Sequence, residues 1–507
     1  MHLNFNDMEH LPKEYMRPNF NVIDMVKRTG ENPTWLHMGV GNIFRIMIGG
    51  LQQDLLEAGH TDTGIIAYEA FDNEIIPLTW GKSHSFTLGV TLHASGKVEK
   101  RIITSFAEFV NQNLARLTEI VSAPTLQLIS FTITENGYKV DPAKICTSPA
   151  TAETTLEQVA AGLLARQKTN GAPIALVSLD NFAENGTMVQ KAMTAIAKAW
   201  NKNGEAPLEF IDYVNSMAYP WTMIDKITPR PSEDVAAMLA ADGLTDMTIH
   251  QTAKNTFVAP FVNAEAPQYL ILEDNFPNGR PPFEKLQKSG VYMTDRDTVR
   301  KMDQMKVCAC LNPLHTILGV AGPLLGHPTI AACMKDKRLV RLLQKAAEEA
   351  LPTVASPGII DPMAFLHEVL TERFPNPYIP DTPERIACDT SQKIPVRFGV
   401  AMKARVAQNI PTDNLEAVPM FVALWLRYRM GINDKCEAMP PSPDPLMPEA
   451  VKVLDGLQFG EKVDLRPILS DAEIFGVDLY TVGLGEKVKK LFAELSAAPG
   501  AVGKRLE

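Results

Sequence analysis

A chain of 507 residues, 45% hydrophobic and 21% charged, has the length for two or more domains and the composition of a globular protein, which excludes extended disorder. Its formal net charge of −10 repels polyphosphate, and no Lys/Arg cluster reverses this locally, so no nucleic-acid partner is expected and a small-molecule ligand is favoured.

At the start, MHLNFNDMEHLPKEYMRPNF has neither a basic n-region with an apolar core nor the Arg-rich pattern of a transit peptide. The most apolar windows, such as TILGVAGPLLG, are broken by Gly and Pro short of a membrane span, so no membrane association is expected. Cys146, Cys308, Cys310, Cys333, Cys388 and Cys436 are scattered, as reduced thiols of a cytoplasmic protein would be.

Residues 33–44, PTWLHMGVGNIF, run from an apolar segment into glycines. They continue into RIMIGGLQQDLLEAG, whose apolar positions recur at helical spacing until Gly59. A second apolar run, TGIIAYEAFD, completes the order strand, turn, helix, strand. TLQLISFTIT (125–134) and PIALVSLDN (173–181) read as further buried parallel strands, the second preceded by the helical TLEQVAAGLLARQ. Ligands of open α/β sheets lie beyond the carboxyl ends of the strands, which makes Thr134, Glu135, Asp180 and Asn181 candidates. FVAPFVNAEAPQYLILEDNFPNGRPPFE, within the stretch from 250 to 290, reads as an irregular or β-containing excursion and interdomain connection. Helical patterns dominate after 296, as in KRLVRLLQKAAEEAL and NLEAVPMFVALWLRYRM. The expectation is an α/β chain: a Rossmann-type domain over 1–295 with a mainly parallel sheet, a mostly α-helical domain over 296–507, and a site in the cleft between them.

In HMGVGNIFR, Gly39 and Gly41 take the first two places of G-x-G-x-x-G and Phe44 takes the third. Two glycines permit a tight turn and close approach of backbone N–H groups to a pyrophosphate. Glu69, at the end of the second strand and 28 residues beyond Gly41, is placed to accept from both ribose hydroxyls of NAD and to repel the 2′-phosphate of NADP; Asp72 is a second candidate. The loop Gly39, Gly41, Asn42, Ile43, Phe44 and Arg45, with Glu69, Asp72 and Glu135, forms the candidate cofactor set.

The stretch KVCACLNPLHTILG (306–319) concentrates polar groups in an apolar context. Cys308 and Cys310 lack the further ligands of a zinc site and read as small core residues. Pro313 suits the first turn of a new helix, with Asn312 as its N-cap, so a corner is expected between two helices. His315 would lie near the positive end of the second helix, where a neutral imidazole is favoured. The break lets Lys306 and His315 converge. A desolvated lysine can exchange a proton with an alcohol, and amide N–H groups can stabilise an alkoxide; equally, the three polar groups could simply satisfy a helix junction.

The ordered set HMGVGNIFR, TITENGY, SLDNFAENG, MIDKITPRP, MKVCACLNPLH and RIACDTSQKIP resembles the polyol-specific long-chain dehydrogenase/reductase family, also called the mannitol dehydrogenase family, over residues 35 to about 400. NTFVAPFVNAEAPQYL and EDNFPNGRPP are most similar to its fructuronate reductase (D-mannonate oxidoreductase) branch. The resemblance implies metal-independent hydride transfer between NAD and a secondary alcohol or ketone. It assigns Lys306 as general acid/base, Asn181 and Asn312 as the oxyanion hole, His315 as the group orienting the reacting oxygen, and Asp225, Arg385 and Lys393 as substrate residues. Five residues separate Lys306 from Asn312, where mannitol dehydrogenases have four, so either the helix bulges by one residue or another group takes the proton.

A hexuronate substrate calls for a cation, and Arg385, Lys393, Lys254, Arg230 and Arg280 are available. The expected reaction is interconversion of D-fructuronate and D-mannonate with NADH. Mannitol/fructose 2-dehydrogenase and tagaturonate reductase are alternatives within the family, and a Schiff-base lyase or a non-catalytic nucleotide sensor are alternatives outside it. A monomer or homodimer acting on a sugar acid or polyol is expected.

Overall fold

The structure is a computed structural model that describes residues 1–81 and 86–507. The chain divides into two compact units, Met1–Arg300 and Lys301–Glu507.

At the centre of the first unit lies a five-stranded sheet of β1 (Trp35–Met38), β2 (Ile65–Glu69), β3 (Phe106–Asn111), β4 (Leu128–Phe131) and β5 (Ala175–Ser178). Its order is β3-β2-β1-β4-β5 and every pairing is parallel. This is the doubly wound arrangement, which switches direction at β1. Both faces are covered, so the strands are apolar throughout. Leu36, Met38, Ile66, Ile129 and Leu176 pack with Val159, Leu163, Met193 and Trp200 on one face, while Trp35, Ile65, Ala67, Leu128 and Val177 pack with Met47, Leu51 and Leu55 on the other.

After β1 the chain forms a π-helical turn, Phe44–Ile48, and then helix α1, Gly49–Glu57. A Cβ at Gly49 would lie 2.4 Å from the Phe106 ring. Gly49 therefore gives the close helix–sheet approach that the third glycine of the motif usually provides, which explains why Phe44 can stand in that place. Helix α2 (Thr155–Thr169) opens with a reciprocal capping box between Thr154 and Glu157, and α3 (Asn185–Lys202) follows β5.

The stretch from 250 to 290, expected as a β-containing excursion, contributes strands to the first unit. Phe261–Glu265 pairs in parallel with Thr87–Leu92, and Tyr269–Glu273 is the middle of a three-stranded sheet between Val291–Thr294 and Thr222–Asp225.

The second unit is helical. Helix α4 (Arg296–Met305), within which the two units divide, passes through a π-turn, Lys306–Cys310, and a break at Leu311 into α5 (Asn312–Leu324). Contrary to the sequence expectation, Gly319 and Gly322 do not stop this run, which ends one residue after Pro323: Arg296–Leu324 is long and apolar enough to cross a membrane. Its most apolar window is 83% buried inside the protein, the situation of a core helix. Helix α6 (Ala417–Arg429) is also buried on almost every side and packs against α5. A Cβ at Gly319 would lie 2.9 Å from Ile386, and one at Gly322 2.7 Å from Cys333 and 3.1 Å from Pro383. The two glycines thus let the short helix Pro383–Ala387 lie directly on α5, beside His315.

Candidate active site

In the first unit the turn after β1 is shaped by Gly39, whose φ of +96° favours glycine and whose Cβ would lie 2.5 Å from the Thr132 carbonyl oxygen. Its N–H donates to Tyr68 O at 2.8 Å. Gly41 differs: no atom lies within 4 Å of the position a Cβ would take, so a side chain there would fill open space in front of the turn. That open cradle fits the close approach of a pyrophosphate.

Glu69 Oε2 accepts from Val40 N at 3.1 Å, and Oε1 accepts from Phe71 N at 2.8 Å and Asp72 N at 3.0 Å. The carboxylate therefore buttresses the glycine turn directly; burial raises its pKa and the three N–H groups partly offset this. Asp72 turns the other way, accepting from the Thr252 hydroxyl at 2.6 Å. Asn42 Nδ2 donates to Pro229 O at 3.3 Å, and Ile43 is half-buried. Phe44 and Arg45 are fully buried, Phe44 stacked on His37 with ring centroids 4.1 Å apart and Arg45 over the Trp80 ring, its guanidinium pushed down to about 9 by burial. These two side chains support the turn from behind.

Beneath it runs a chain of polar groups. Trp35 Nε1 donates to Ser130 Oγ (2.7 Å), which lies 2.6 Å from His37 Nδ1, and His37 Nε2 lies 2.9 Å from Thr132 Oγ1. The Ser130 hydroxyl, accepting from the indole N–H, keeps one proton and one lone pair, so it or His37 Nδ1 can be the donor in the pair they form. Burial pushes this imidazole down to about 3.

At the end of β4, Thr134 has a φ of 63°, a strained conformation for threonine. Asp180, beyond β5, holds it: its carboxylate accepts from Ile133 N (2.8 Å), Thr134 N (3.1 Å) and the Tyr138 hydroxyl (2.6 Å). Asn181 follows and is exposed, while Glu135 is exposed and pairs with Lys139 at 3.0 Å. Asp225 is buried at the end of its strand, opposite Tyr269.

In the second unit, Lys306 is 1% exposed and opens the π-turn, whose closing bond runs from Leu311 N to Lys306 O at 3.2 Å. This turn takes up one extra residue between Lys306 and Asn312. Asn312 is the first residue of α5 and not its N-cap; Leu311 holds that place, with φ −133° and ψ −65°. The reason is the π-turn, which carries the break one residue ahead of the Asn-Pro pair. The Asn312 carbonyl accepts from Thr316 Oγ1 at 2.9 Å and from Arg397 Nη1 at 3.2 Å.

Burial, more than helix position, lowers the pKa of His315, whose Nε2 lies 3.0 Å from Asp381 Oδ2 and whose ring stacks on Phe374. Asp381 Oδ1 receives Arg385 Nε at 2.8 Å. Burial alone would raise the Asp381 carboxyl, but His315 and Arg385 outweigh it and hold it below the usual range. Lys393 donates to the carbonyls of Ile386 (2.9 Å) and Cys388 (2.6 Å), and burial together with Arg397 lowers its pKa. Asp303, one helical turn before Lys306, is raised by burial and pulled back by the lysine's charge. Cys308 and Cys310 are buried, their thiols pushed up by burial to about 11 and about 12; among the described residues no cluster could hold a metal.

Sequence reasoning missed Asp303, Asp381 and Arg397. Asp303 stands three residues before Lys306, a spacing that places such a pair on one helix face, while Asp381 lies just before the N-cap of the helix that carries Arg385. Nothing in the spacing of Arg397 announces its contact with Asn312, 85 residues away.

Residues 33–285 match the family model described as the mannitol dehydrogenase Rossmann domain, and residues 298–495 match the mannitol dehydrogenase C-terminal domain. The chain belongs to the mannitol dehydrogenase family. It is 44% identical to the D-mannonate oxidoreductase of Thermotoga maritima, over 97% of this chain and 95% of that protein. It is 27% identical to a mannitol 2-dehydrogenase of Aspergillus fumigatus, over 88% and 86%. Among solved structures of mannitol dehydrogenase fold, substrate-free D-sorbitol dehydrogenase aligns with a TM-score of 0.82 at 22% identity, covering 99% of each chain. The Pseudomonas fluorescens mannitol 2-dehydrogenase ternary complex with NAD and D-mannitol aligns at 0.74 and 23%, covering 100% of this chain and 99% of that one. As a member of this family the chain is an oxidoreductase.

Of the other cations considered for a carboxylate, Arg280 is held by Asp274 and Glu284, Arg230 lies over Phe257, and Lys254 is bound at Phe71.

Proposed function

We propose that the protein is an NAD-dependent oxidoreductase that interconverts D-fructuronate and D-mannonate. The observation that carries this reading is the 44% identity to a D-mannonate oxidoreductase along nearly the whole of both chains. The first unit is the cofactor domain and the second the substrate and catalytic domain. Gly39 and Gly41 admit the pyrophosphate, and the Glu69 carboxylate, fixed against Val40 N, disfavours a 2′-phosphate. When bound, the dinucleotide supplies or accepts the hydride at the reacting carbon.

Lys306 gives its proton to the carbonyl oxygen in reduction and takes the hydroxyl proton in oxidation. In the second unit we assign Asn312 as a donor to that oxygen and Arg385 and Lys393 as substrate residues; in the first unit the corresponding roles fall to Asn181 and Asp225. His315, whose Nε2 lies 3.0 Å from Asp381 Oδ2, orients the reacting oxygen. Asp303 balances the lysine's charge. We place the enzyme in the cytoplasm, as a monomer or homodimer.

The test is NADH and NADPH oxidation followed in parallel with D-fructuronate, D-tagaturonate and D-fructose. D-fructuronate with NADH should give the highest kcat/KM, and Lys306→Ala should lower turnover by roughly three orders of magnitude with NADH binding retained. A preference for fructose, or near-normal K306A activity, overturns the assignment.

A further inference from the structure

Three cations gather near His315 in the second unit, and they are not equivalent. Arg385 directs Nε and Nη2, one forked edge of its guanidinium, onto Asp381 Oδ1 at 2.8 and 2.7 Å. Lys393 gives its ammonium to two backbone carbonyls at the end of the helix Pro383–Ala387. Arg397, in the π-turn Pro395–Gly399, engages only Nη1, with Asn312 O at 3.2 Å and with Thr316 Oγ1. Among the described residues no carboxylate pairs with it; Cys308 is the one group whose charge would favour its own. It lies near enough to His315 and Lys393 for its charge to act on both.

Arg397 is half-buried without a counter-ion, and burial pushes its guanidinium down to about 10. Its Nε and Nη2 form the fork that matches a carboxylate in a bidentate pair. Because Nη1 is tied to Asn312, the fork is fixed relative to the helix start that carries Asn312 and His315. Arg397 and Asn312, the donor assigned to the reacting oxygen, are thus tied to one helix start.

We propose that Arg397 is the receptor for the substrate's carboxylate and the residue that makes this site select a sugar acid over an uncharged ketose or polyol. The proposal rests on the reading of the second unit as the substrate domain. Arg385 and Lys393, held by their own partners, then contact hydroxyls.

The experiment compares wild type, Arg397→Lys and Arg397→Gln with D-fructuronate and D-fructose in the presence of NADH. R397Q should lower kcat/KM for fructuronate roughly 100-fold, mainly through KM, and that for fructose less than about 5-fold. R397K, which keeps the charge but not the fork, should fall between. Equal losses on both substrates would reduce Arg397 to a support for Asn312 and overturn the proposal, as would an unchanged fructuronate KM in R397Q. If wild type fails to reduce fructuronate, the function reading falls separately. The arginine is then read from NADH fluorescence, by titrating the NADH complex with D-gluconate and with D-sorbitol. Preference for gluconate in wild type, lost in R397Q, supports the assignment, and equal affinities overturn it.

Discussion

The ring of His37 is neutral in the folded protein, and its direction of titration gives a measurable consequence. Burial takes it from its ordinary 6.5 to about 3, so below pH 6.5 the unfolded chain binds a proton that the folded chain does not. Stability is complete above pH 6.5 and declines as the pH falls toward 3, by ~1 kcal/mol per unit from this group. Urea unfolding at pH 7 and pH 5 should show the drop, and His37→Gln should flatten it; an unchanged slope in H37Q would exclude His37 as the source. At this scale the sequence was informative where a residue's partners lie close along the chain. Lys306, Asn312 and His315 stand within ten positions, and Gly39, Gly41 and Glu69 within one βαβ unit. Asp381 and Arg397 escaped notice because their contacts with His315 and Asn312 span 66 and 85 positions.

Among elements, the π-turns have the clearest effect. Phe44–Ile48 follows the glycine turn, and Lys306–Cys310 carries the proposed general acid/base; each closes on an i→i+5 bond that adds one residue to the helix. The spacing anomaly between Lys306 and Asn312 pointed to such a bulge, but spacing could not decide between a bulge and a different proton donor. Inserting a second alanine after Ala309, one residue more than that turn takes up, should swing Lys306 by ~100° relative to Asn312. Activity should drop at least ~100-fold, through loss of orientation, with the helical circular dichroism retained. Retained activity would show that the aim of the lysine does not depend on the length of this turn.

On the scale of the whole molecule, the division into two units predicts where a cofactor leaves its mark. Saturating NADH at about 100 times Kd contributes roughly 2.7 kcal/mol to the state that binds it. Hydrogen–deuterium exchange should slow chiefly over residues 39–45 and 65–72, and far less over 337–350; the reverse pattern would refute the cofactor assignment to the first unit.

The sequence by itself determined the parallel sheet, the glycine turn and the helical second half, since these follow from apolar periodicity and from backbone freedom at particular glycines, both local properties. It also ordered the motifs that identify the family. Only the tertiary structure decided that Gly49 does the packing work of the missing third glycine and that Gly319 and Gly322 leave a core helix unbroken. The same holds for the charges. Which of Arg385, Lys393 and Arg397 has a forked edge left for a carboxylate depends on the carbonyls and carboxylates that folding brings beside each, and no spacing along the chain encodes that.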